Sequence, residues 1–393
     1  MPPLLTLVIF LIAVALVLRV DFIFYIAYIC LGIYLFNRWF SPRSLKNVYV
    51  KRQFTNYAFW GEQVQVDLEV ENRNWLPLSW LEFSEDVAPE LHREAQLKQV
   101  IGLRGSQTRT FSYRVRARKR GYYRLGPMRL RTGDVSGLID EQRGYHAGDY
   151  LTVYPRSIPL TRLGLPSRLP GGTVASRQRL FEDPARPMGV RDYRSGDSLR
   201  QINWKVSAHT RDLVVKTFQP AISLETAVFL NLNLSEYERS GYTIVSEWGI
   251  ELAASLAAHL INQRQPVGFA TNGADPLHLP TDSAGHQFDD ITGRLIYKKG
   301  ADGTVVSAKS YMPNGIPPRN GRSHLIKILE QLARLEVDNT QPFVDWLPRA
   351  TLPLTWGGTL LIITPRSTVE LSNALHRLVR QGYNPILLII EPD

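Results

Sequence analysis

The stretch Thr226–Ala270, TAVFLNLNLSEYERSGYTIVSEWGIELAASLAAHLINQRQPVGFA, decides the fold. Thr226–Asn233 reads as a buried strand. Val245–Gln263 reads as a helix: Trp248, Leu252, Leu256 and Leu260 recur every four residues. Beside them a small-residue side of Ala253, Ala254, Ala257 and Ala258 allows close packing on a sheet. Val267–Ala270 is the next strand. The alternation continues downstream, with helices over Leu325–Leu335 and Val369–Gln381 and strands over Thr359–Thr364 and Ile386–Ile390. Strands alternating with helices predict an α/β unit whose mostly parallel sheet is covered on both faces. Gly, Pro and Asp interrupt the pattern over 274–320, where Arg294–Lys299 and Thr304–Lys309 around Gly300-Ala301-Asp302-Gly303 read as a hairpin.

Upstream the period changes from 3.6 to 2. In Gln63–Glu71, Val64, Val66, Leu68 and Val70 share one face, while Gln65, Asp67, Glu69 and Glu71 share the other. Arg109–Arg118 repeats this, with Phe111, Tyr113, Val115 and Ala117 inward and Arg114, Arg116 and Arg118 outward. Met128 and Leu130 alternate with Arg129 and Arg131, and Leu151–Tyr154 is a further short run. Turn signals separate these runs, so a small antiparallel β-sandwich is expected over 41–155. Residues 156–190, rich in Pro, Gly and Arg, read as a linker, and 191–393 as the last domain.

Residues 1–40 hold two apolar runs, Leu4–Leu18 and Phe22–Phe36, split by Arg19-Val20-Asp21. Each is short for a hydrocarbon core of about 30 Å. Trp39 and Phe40 supply an interfacial belt, and the runs predict a transmembrane helical hairpin. A signal peptide or a single bent span is the alternative: Ala13-Val14-Ala15 resembles a cleavage site, although Met1-Pro2-Pro3 lacks a basic start.

The charge pattern orients the hairpin. The formal net charge is +10, and two stretches carry the excess: 104–131 has ten Lys/Arg and no acid, and 22–61 has five and no acid. Arg38, Arg43, Lys46, Lys51 and Arg52 follow the second apolar run. By the positive-inside rule they place everything after about residue 40 on the cytosolic side of the plasma (bacterial inner) membrane. The 104–131 stretch reads as a sheet face with its turns, either solvated, held near anionic lipid, or bound to nucleic acid. No ribonucleoprotein-type aromatic signature supports the last, and no nucleic acid is expected as a partner. The lone cysteine, Cys30, excludes an intramolecular disulfide and a cysteine-ligated zinc site.

The densest segment is Gly189–Phe218, GVRDYRSGDSLRQINWKVSAHTRDLVVKTF. Ser195-Gly196 makes a turn, and Asp197 or Ser198 can cap a short helix carrying Leu199, Ile202 and Val206. Arg191, Tyr193, Arg194, Gly196, Asp197, Leu199, Arg200, Ile202, Trp204 and Lys205 resemble the signature of the bacterial family called domain of unknown function 58. Ala208, Thr210 and Leu213-Val214-Val215 continue the resemblance, as do Arg120–Pro127 and Leu151–Pro155 upstream. The resemblance implies a von Willebrand factor A-like domain after the signature and a MoxR-type AAA+ ATPase as partner, but no reaction. The signature itself reads either as an ion-pair network locking a loop, with Asp197 and Arg200 spaced to pair, or as a docking surface.

In von Willebrand A-like domains the first strand usually ends in Asp-x-Ser-x-Ser, whose oxygens suit Mg²⁺. The matching place here is Asn233-Leu234-Ser235-Glu236-Tyr237, and Thr364-Pro365-Arg366 stands where another Asp is common. Asn233 and Ser235 therefore mark a degenerate metal site, with Glu236 as a substitute carboxylate and Arg366 as a repelling charge. The Asp134-Val135-Ser136 triplet mimics part of the motif but reads as a turn. No phosphate loop, G-x-G-x-x-G, H-E-x-x-H or G-x-S-x-G occurs, and no two of the eight histidines fall within four residues. No catalytic residue, cofactor or metal is assigned. The expectation is a membrane-anchored, non-enzymatic interaction protein, held to lipid by its hairpin and basic flank. The alternative is a Mg²⁺-dependent ligand binder acting through the degenerate site.

Overall fold

Two apolar helices open the chain, α1 (Pro3–Leu18) and α2 (Asp21–Ser44). At 1.5 Å per residue they measure about 24 and 36 Å. Val8, Ala15, Ala27 and Tyr34 are buried where the pair packs together, while Leu16, Val17, Phe22, Tyr25 and Ile29 stay exposed. The computed structural model describes residues 3–18, 21–45, 47–75, 77–92, 96–133, 140–145, 149–160, 182–195, 197–220, 225–278, 287–289, 294–296 and 314–390. Arg19, Val20, Lys46, the Asp134–Ser136 triplet, most of the expected linker, Gly196 and the segment 297–313 lie outside the described residues.

Ten strands follow α2: β1 (Val48–Gln53), β2 (Tyr57–Ala58), β3 (Gln63–Asn72), β4 (Leu78–Asp86), β5 (Gln96–Leu103), β6 (Thr108–Arg116), β7 (Gly121–Leu125), β8 (Met128–Gly133), β9 (Asp140–Tyr145) and β10 (Asp149–Val153). They form three sheets, ordered β1-β3-β6, β5-β4-β8-β9 and β2-β10-β7. The alternation of β3 serves two cores. Leu68 and Val70 pack with Val48, Leu81, Phe83, Ile101 and Leu130. Val64 and Val66 pack with Val115, Tyr123, Leu125 and Leu151.

One buried cation joins the three sheets. The Arg52 side chain on β1 is 4% exposed and pairs with Glu85 of β4, which is fully buried, and with Asp149 of β10. Burial pulls the guanidinium down, but Glu85, the neighbouring Tyr113 and Asp149 outweigh it and hold Arg52 above its ordinary value.

The basic stretch 104–131 does not make one face, contrary to the sequence reading, because its arginines alternate on strands of different sheets. Arg114 and Arg116 of β6 lie opposite Gln65 and Gln63. Arg129 and Arg131 of β8 meet Asp86 at 2.9 Å and Glu82 at 3.7 Å on β4. Their charge is matched across the strand pair.

The remaining elements are β11 (Glu182–Asp192), α3 (Trp204–Thr210), β12 (Val214–Pro220), β13 (Thr226–Leu230), α4 (Tyr242–Asn262), β14 (Val267–Thr271), β15 (Gln287–Phe288), β16 (Leu295–Ile296), β17 (Ile316–Arg319), α5 (Arg322–Arg334), α6 (Phe343–Ala350), β18 (Thr359–Thr364), α7 (Val369–Arg380) and β19 (Asn384–Ile389). The protein is mixed α/β, and its main sheet runs β17-β14-β13-β18-β19, parallel except for β17. Every residue of β13 is buried. Ala227 and Phe229 face Phe343, Trp346 and Leu347 of α6 and Leu371 and Leu378 of α7. On α4, a methyl group at Gly249 would stand 3.3 Å from Leu230 and 3.4 Å from Ile390, so glycine permits this close approach.

The sheet-facing side of α4 runs through Gly249 and its alanines, in line with the small-residue side read from the sequence, and Trp248 is 62% exposed. Other expectations are corrected. The linker's last residues form β11, paired to β12 with register shifts around Pro187. Proline donates no N–H, which explains why no periodicity announced this strand. Leu295-Ile296 pairs with Gln287-Phe288 upstream, and the Thr304–Lys309 half of the expected hairpin lies outside the described residues. Helix α4 is the one described helix long and apolar enough to cross a membrane, but it is a core helix, mostly buried. By contacts the chain divides into Met1–Pro155 with Pro280–Lys298, and Arg156–Leu279 with Lys299–Asp393. The β15–β16 pair therefore belongs with the first unit, where Phe288 stacks on Tyr150 at 5.5 Å, and Tyr150 on Tyr122 at 5.1 Å.

Arg52→Met should destabilise the first unit by about 3–5 kcal/mol, because it strands the Glu85 carboxylate without a partner. Denaturant melts of the detergent-solubilised chain would measure this. Adding Glu85→Leu should recover part of the loss.

Candidate functional site

Two places gather polar side chains in the second unit. The first is the signature, which builds a hairpin from β11 and β12 with a small helical tip. Asp197 accepts both arms of Arg191, at 2.7 Å each, and the Arg194 backbone N–H at 2.9 Å. These donors, led by Arg191, hold the Asp197 carboxyl down at about 2. Asp197 thus pairs with Arg191 at the end of β11, six residues back across the turn, and not with Arg200 as its spacing suggested. Ile202 is buried and bridges to Val215, and Asn203 donates its N–H to the Val214 carbonyl at 2.9 Å. Ser198 stands at the N-cap of the 3-10 turn Leu199–Gln201 without a side-chain cap bond, whereas Asn203 caps α3, its side chain accepting from Val206 N–H. Ser207 closes the base by accepting from the Val214 N–H at 2.9 Å.

The scaffold leaves other signature residues in solvent. Leu199 and Trp204 flank the buried Ile202, and both are 66% exposed. Arg194, Arg200 and Lys205 are exposed as well, and Tyr193 is half-buried with its N–H on the Leu213 carbonyl at 2.8 Å. The signature thus exposes two large apolar side chains and three cations within twelve residues of sequence.

The second place is the C-terminal edge of the main sheet. Strand order reverses at β13, with β14 on one side and β18 on the other, and open α/β sheets bind ligands at such a switch point. Here protein fills it. Asn231, the first residue past β13, is fully buried and donates to Glu236 Oε2 at 2.7 Å and to Thr364 Oγ1 at 3.1 Å. Its carbonyl oxygen accepts from Asn233 N–H at 3.1 Å and from Asn272 Nδ2 at 3.2 Å. Glu236 Oε1 accepts from Phe343 N–H at 2.7 Å, capping α6, and from Asn233 Nδ2 at 3.4 Å. Tyr237 donates its hydroxyl to the Asn231 backbone carbonyl at 2.6 Å. The segment 336–341 laces over the edge, with Ala274 and Glu336 exchanging backbone hydrogen bonds and Leu234 N–H reaching the Asp338 carbonyl. Asp275, also buried, is held by Arg334 at 3.1 Å.

This hub does not fit a hard cation. Mg²⁺ wants free oxygen donors in octahedral array. The Asn231 and Asn233 oxygens and both Glu236 oxygens already accept protein hydrogen bonds. Among the described residues no group of three His, Cys, Asp or Glu could hold a metal ion. The strand ends at Leu230, short of the expected Asn233. Asn233 caps the turn after the strand, and Ser235 is exposed, whereas Asn231 occupies the strand end. Arg366 does not confront the hub either; its guanidinium is half exposed and pairs with Glu238 at 3.4 Å. Sequence reasoning missed Asn231 and Asn272, although an Asn directly after an apolar strand is a signal that could have found both.

Comparison with known proteins gives one family and few relatives. The family described as "Protein of unknown function DUF58" matches residues 189–302, which include the signature and the Asn231 hub's first strand. A Bacillus subtilis protein, "Uncharacterized protein YeaD", is 24% identical over 240 residues, covering 60% of this chain and 58% of that protein. The match thus spans little more than half the length of that relative. Solved structures include the CARDB domain of the PF1109 protein from Pyrococcus furiosus, at 8% identity over 27% of this chain and 91% of that one, TM-score 0.20. A beta-glucosidase from Listeria innocua matches at 12% identity over 27% of this chain and 16% of that one, TM-score 0.17. Scores this low carry no argument about fold or activity.

Two outcomes follow from the geometry. Asp197 is an acid whose folded value lies below its unfolded one. Its contribution to the turn is therefore full above about pH 3.9 and is lost as pH falls through about 2. An NMR titration of its carboxyl should show that midpoint, and Arg191→Ala should return it towards 3.9. At the hub, Glu236→Ala should cost about 1–3 kcal/mol by orphaning the Asn231 amide and the first N–H of α6. Saturating Mg²⁺ or Mn²⁺ should leave the melting temperature of the unaltered chain unmoved.

Proposed function

Starting from its membership of the DUF58 family, we propose that this chain is a membrane-anchored, non-enzymatic docking protein that presents its signature hairpin to a cytosolic partner. One observation carries the proposal: Leu199 and Trp204 stand two-thirds exposed on a tip whose own hydrogen bonds are satisfied. A large aromatic residue left in water beside cations is the usual anchor of a protein interface. The exposed Arg194, Arg200 and Lys205 of the same segment select an acidic partner and speed its approach.

The five-stranded sheet, parallel except for β17 and covered on both faces, supports a von Willebrand factor A-like reading of the second unit. With the switch point filled, recognition passes to the hairpin. The apolar pair α1 and α2 supports a transmembrane hairpin, and the acid-free basic run after it favours a cytosolic position for the two folded units. The signature's resemblance implies a MoxR-type AAA+ ATPase as the partner, in envelope-related assembly or stress.

A photocrosslinking residue at position 199, introduced in the native host, tests this. The expected product is a covalent adduct with an AAA+ ATPase. Trp204→Ala should lower its capture at least about tenfold, the effect of a modest hot spot, without changing the melting temperature. Unchanged capture, or no ATPase adduct, would sink the proposal.

A further inference from the structure

The end of the first unit beside the exit of α2 carries an exposed tryptophan that no element of the fold uses. Helix α2 runs into the unit without a linker: Leu45 is buried in its core, Val48 N–H bonds to the Leu45 carbonyl at 3.2 Å, and Arg143 donates to the same carbonyl at 3.2 Å. The loop between β3 and β4 is tied directly to this junction. Arg73 N–H bonds to the Asn47 carbonyl at 3.0 Å, and Asn47 Nδ2 to Asn74 Oδ1 at 3.1 Å. The loop between β5 and β6 braces it, with Ser106 N–H on the Asn74 carbonyl at 2.9 Å and Gly105 packed so closely on the Trp75 backbone that no side chain would fit. The backbone of this tip is thus fixed, yet the Trp75 side chain at its apex is 79% exposed.

Cations lie near it. Arg104 is exposed on the bracing loop, Arg43, in the last turn of α2, lies over Trp39 at 4.9 Å, and Arg73 lies over the Tyr49 ring at 4.3 Å while pairing with Glu71 at 2.9 Å. Tryptophan beside arginine at the level where a span leaves the bilayer is the composition of the membrane–water interface. We propose that Trp75 inserts into the headgroup layer of the anionic membrane that α1 and α2 cross, making a second foothold that fixes the tilt of the first unit. Residues 73–75 are tied by hydrogen bonds to Asn47 and to the β5–β6 loop, and Leu45 is buried in the core, so a contact at Trp75 bears on the orientation of the unit. This inference rests on the transmembrane reading of α1 and α2.

Spin-label accessibility in nanodiscs of phosphatidylcholine and phosphatidylglycerol tests both layers. Three labelled forms of the full chain are compared: the unaltered chain labelled at Cys30, and Cys30→Ser chains carrying Trp75→Cys or Gln63→Cys. Gln63 is exposed and lies at the opposite end of β3. The label at 75 should favour oxygen over a water-soluble nickel chelate several-fold more than the label at 63, and Cys30 should do so more strongly still. A label at 75 as open to nickel as that at 63, with Cys30 in lipid, would overturn the foothold alone. Protection of 75 from both reagents would overturn it in favour of a protein cover. Nickel access at Cys30 would remove the transmembrane reading, and the foothold with it.

Discussion

The second unit is governed by the burial of β13. All five of its residues are shielded, with ladders to β14 and β18 on its edges and helices on both faces. A strand so enclosed delivers its next residues into a place that water reaches poorly. Polar groups there must find protein partners or cost free energy. Asn231 meets this demand by making four side-chain hydrogen bonds, the full capacity of its amide. Glu236 then links the turn to α6, and the 336–341 segment closes the edge. The location that an α/β sheet normally offers to ligands is consumed in holding the sheet together.

The first unit solves a comparable problem with charge instead of amides. Arg52 is almost wholly buried, and its pairing with Glu85 and Asp149 reaches from one sheet to the other two. Such a buried network is expensive to break and adds little over an apolar core in stability. What it does supply is a fixed relation between sheets, since only one arrangement brings both carboxylates to a planar guanidinium. Leu45, just past the end of α2, is buried in the core beside β1.

Much of this was legible wherever one periodicity ruled. The reading of Thr359–Thr364 coincides with β18, and the alternation of Gln63–Glu71 foretold which side chains of β3 are buried. Failures came where a local pattern had two meanings. Leu232 continues the apolar run past Asn231, so the strand appeared to end at Asn233 rather than at Leu230. On α4, by contrast, the small-residue side did mark the face that meets the sheet, because glycine and alanine permit the closer approach. Helix α6 begins after Pro342 and contains Pro348, and so carries few of the usual signs. The pairing of Asp197 with Arg191 needed a hairpin to bring the two together, which no helical spacing rule could anticipate.

The signature separates into residues that build and residues that are shown. Arg191, Asp197, Ile202, Asn203 and Ser207 hold one another through the contacts described, and each points into the hairpin or across its turn. Leu199, Arg200, Trp204 and Lys205 contribute nothing comparable to that framework and face solvent. A segment whose whole task was to lock a loop would gain from turning its leucine and tryptophan inward, since burying such side chains stabilises by roughly 1.5–3 kcal/mol each. Keeping them outward forgoes that stabilisation. The charge argues in the same direction: cross-strand acids neutralise Arg129 and Arg131 on β8, whereas Arg194, Arg200 and Lys205 are exposed on the segment that also exposes Leu199 and Trp204. The net charge of +10 is therefore informative only by place: paired across β4 and β8, gathered in a flank beside the apolar helices, and exposed on the signature beside large apolar side chains.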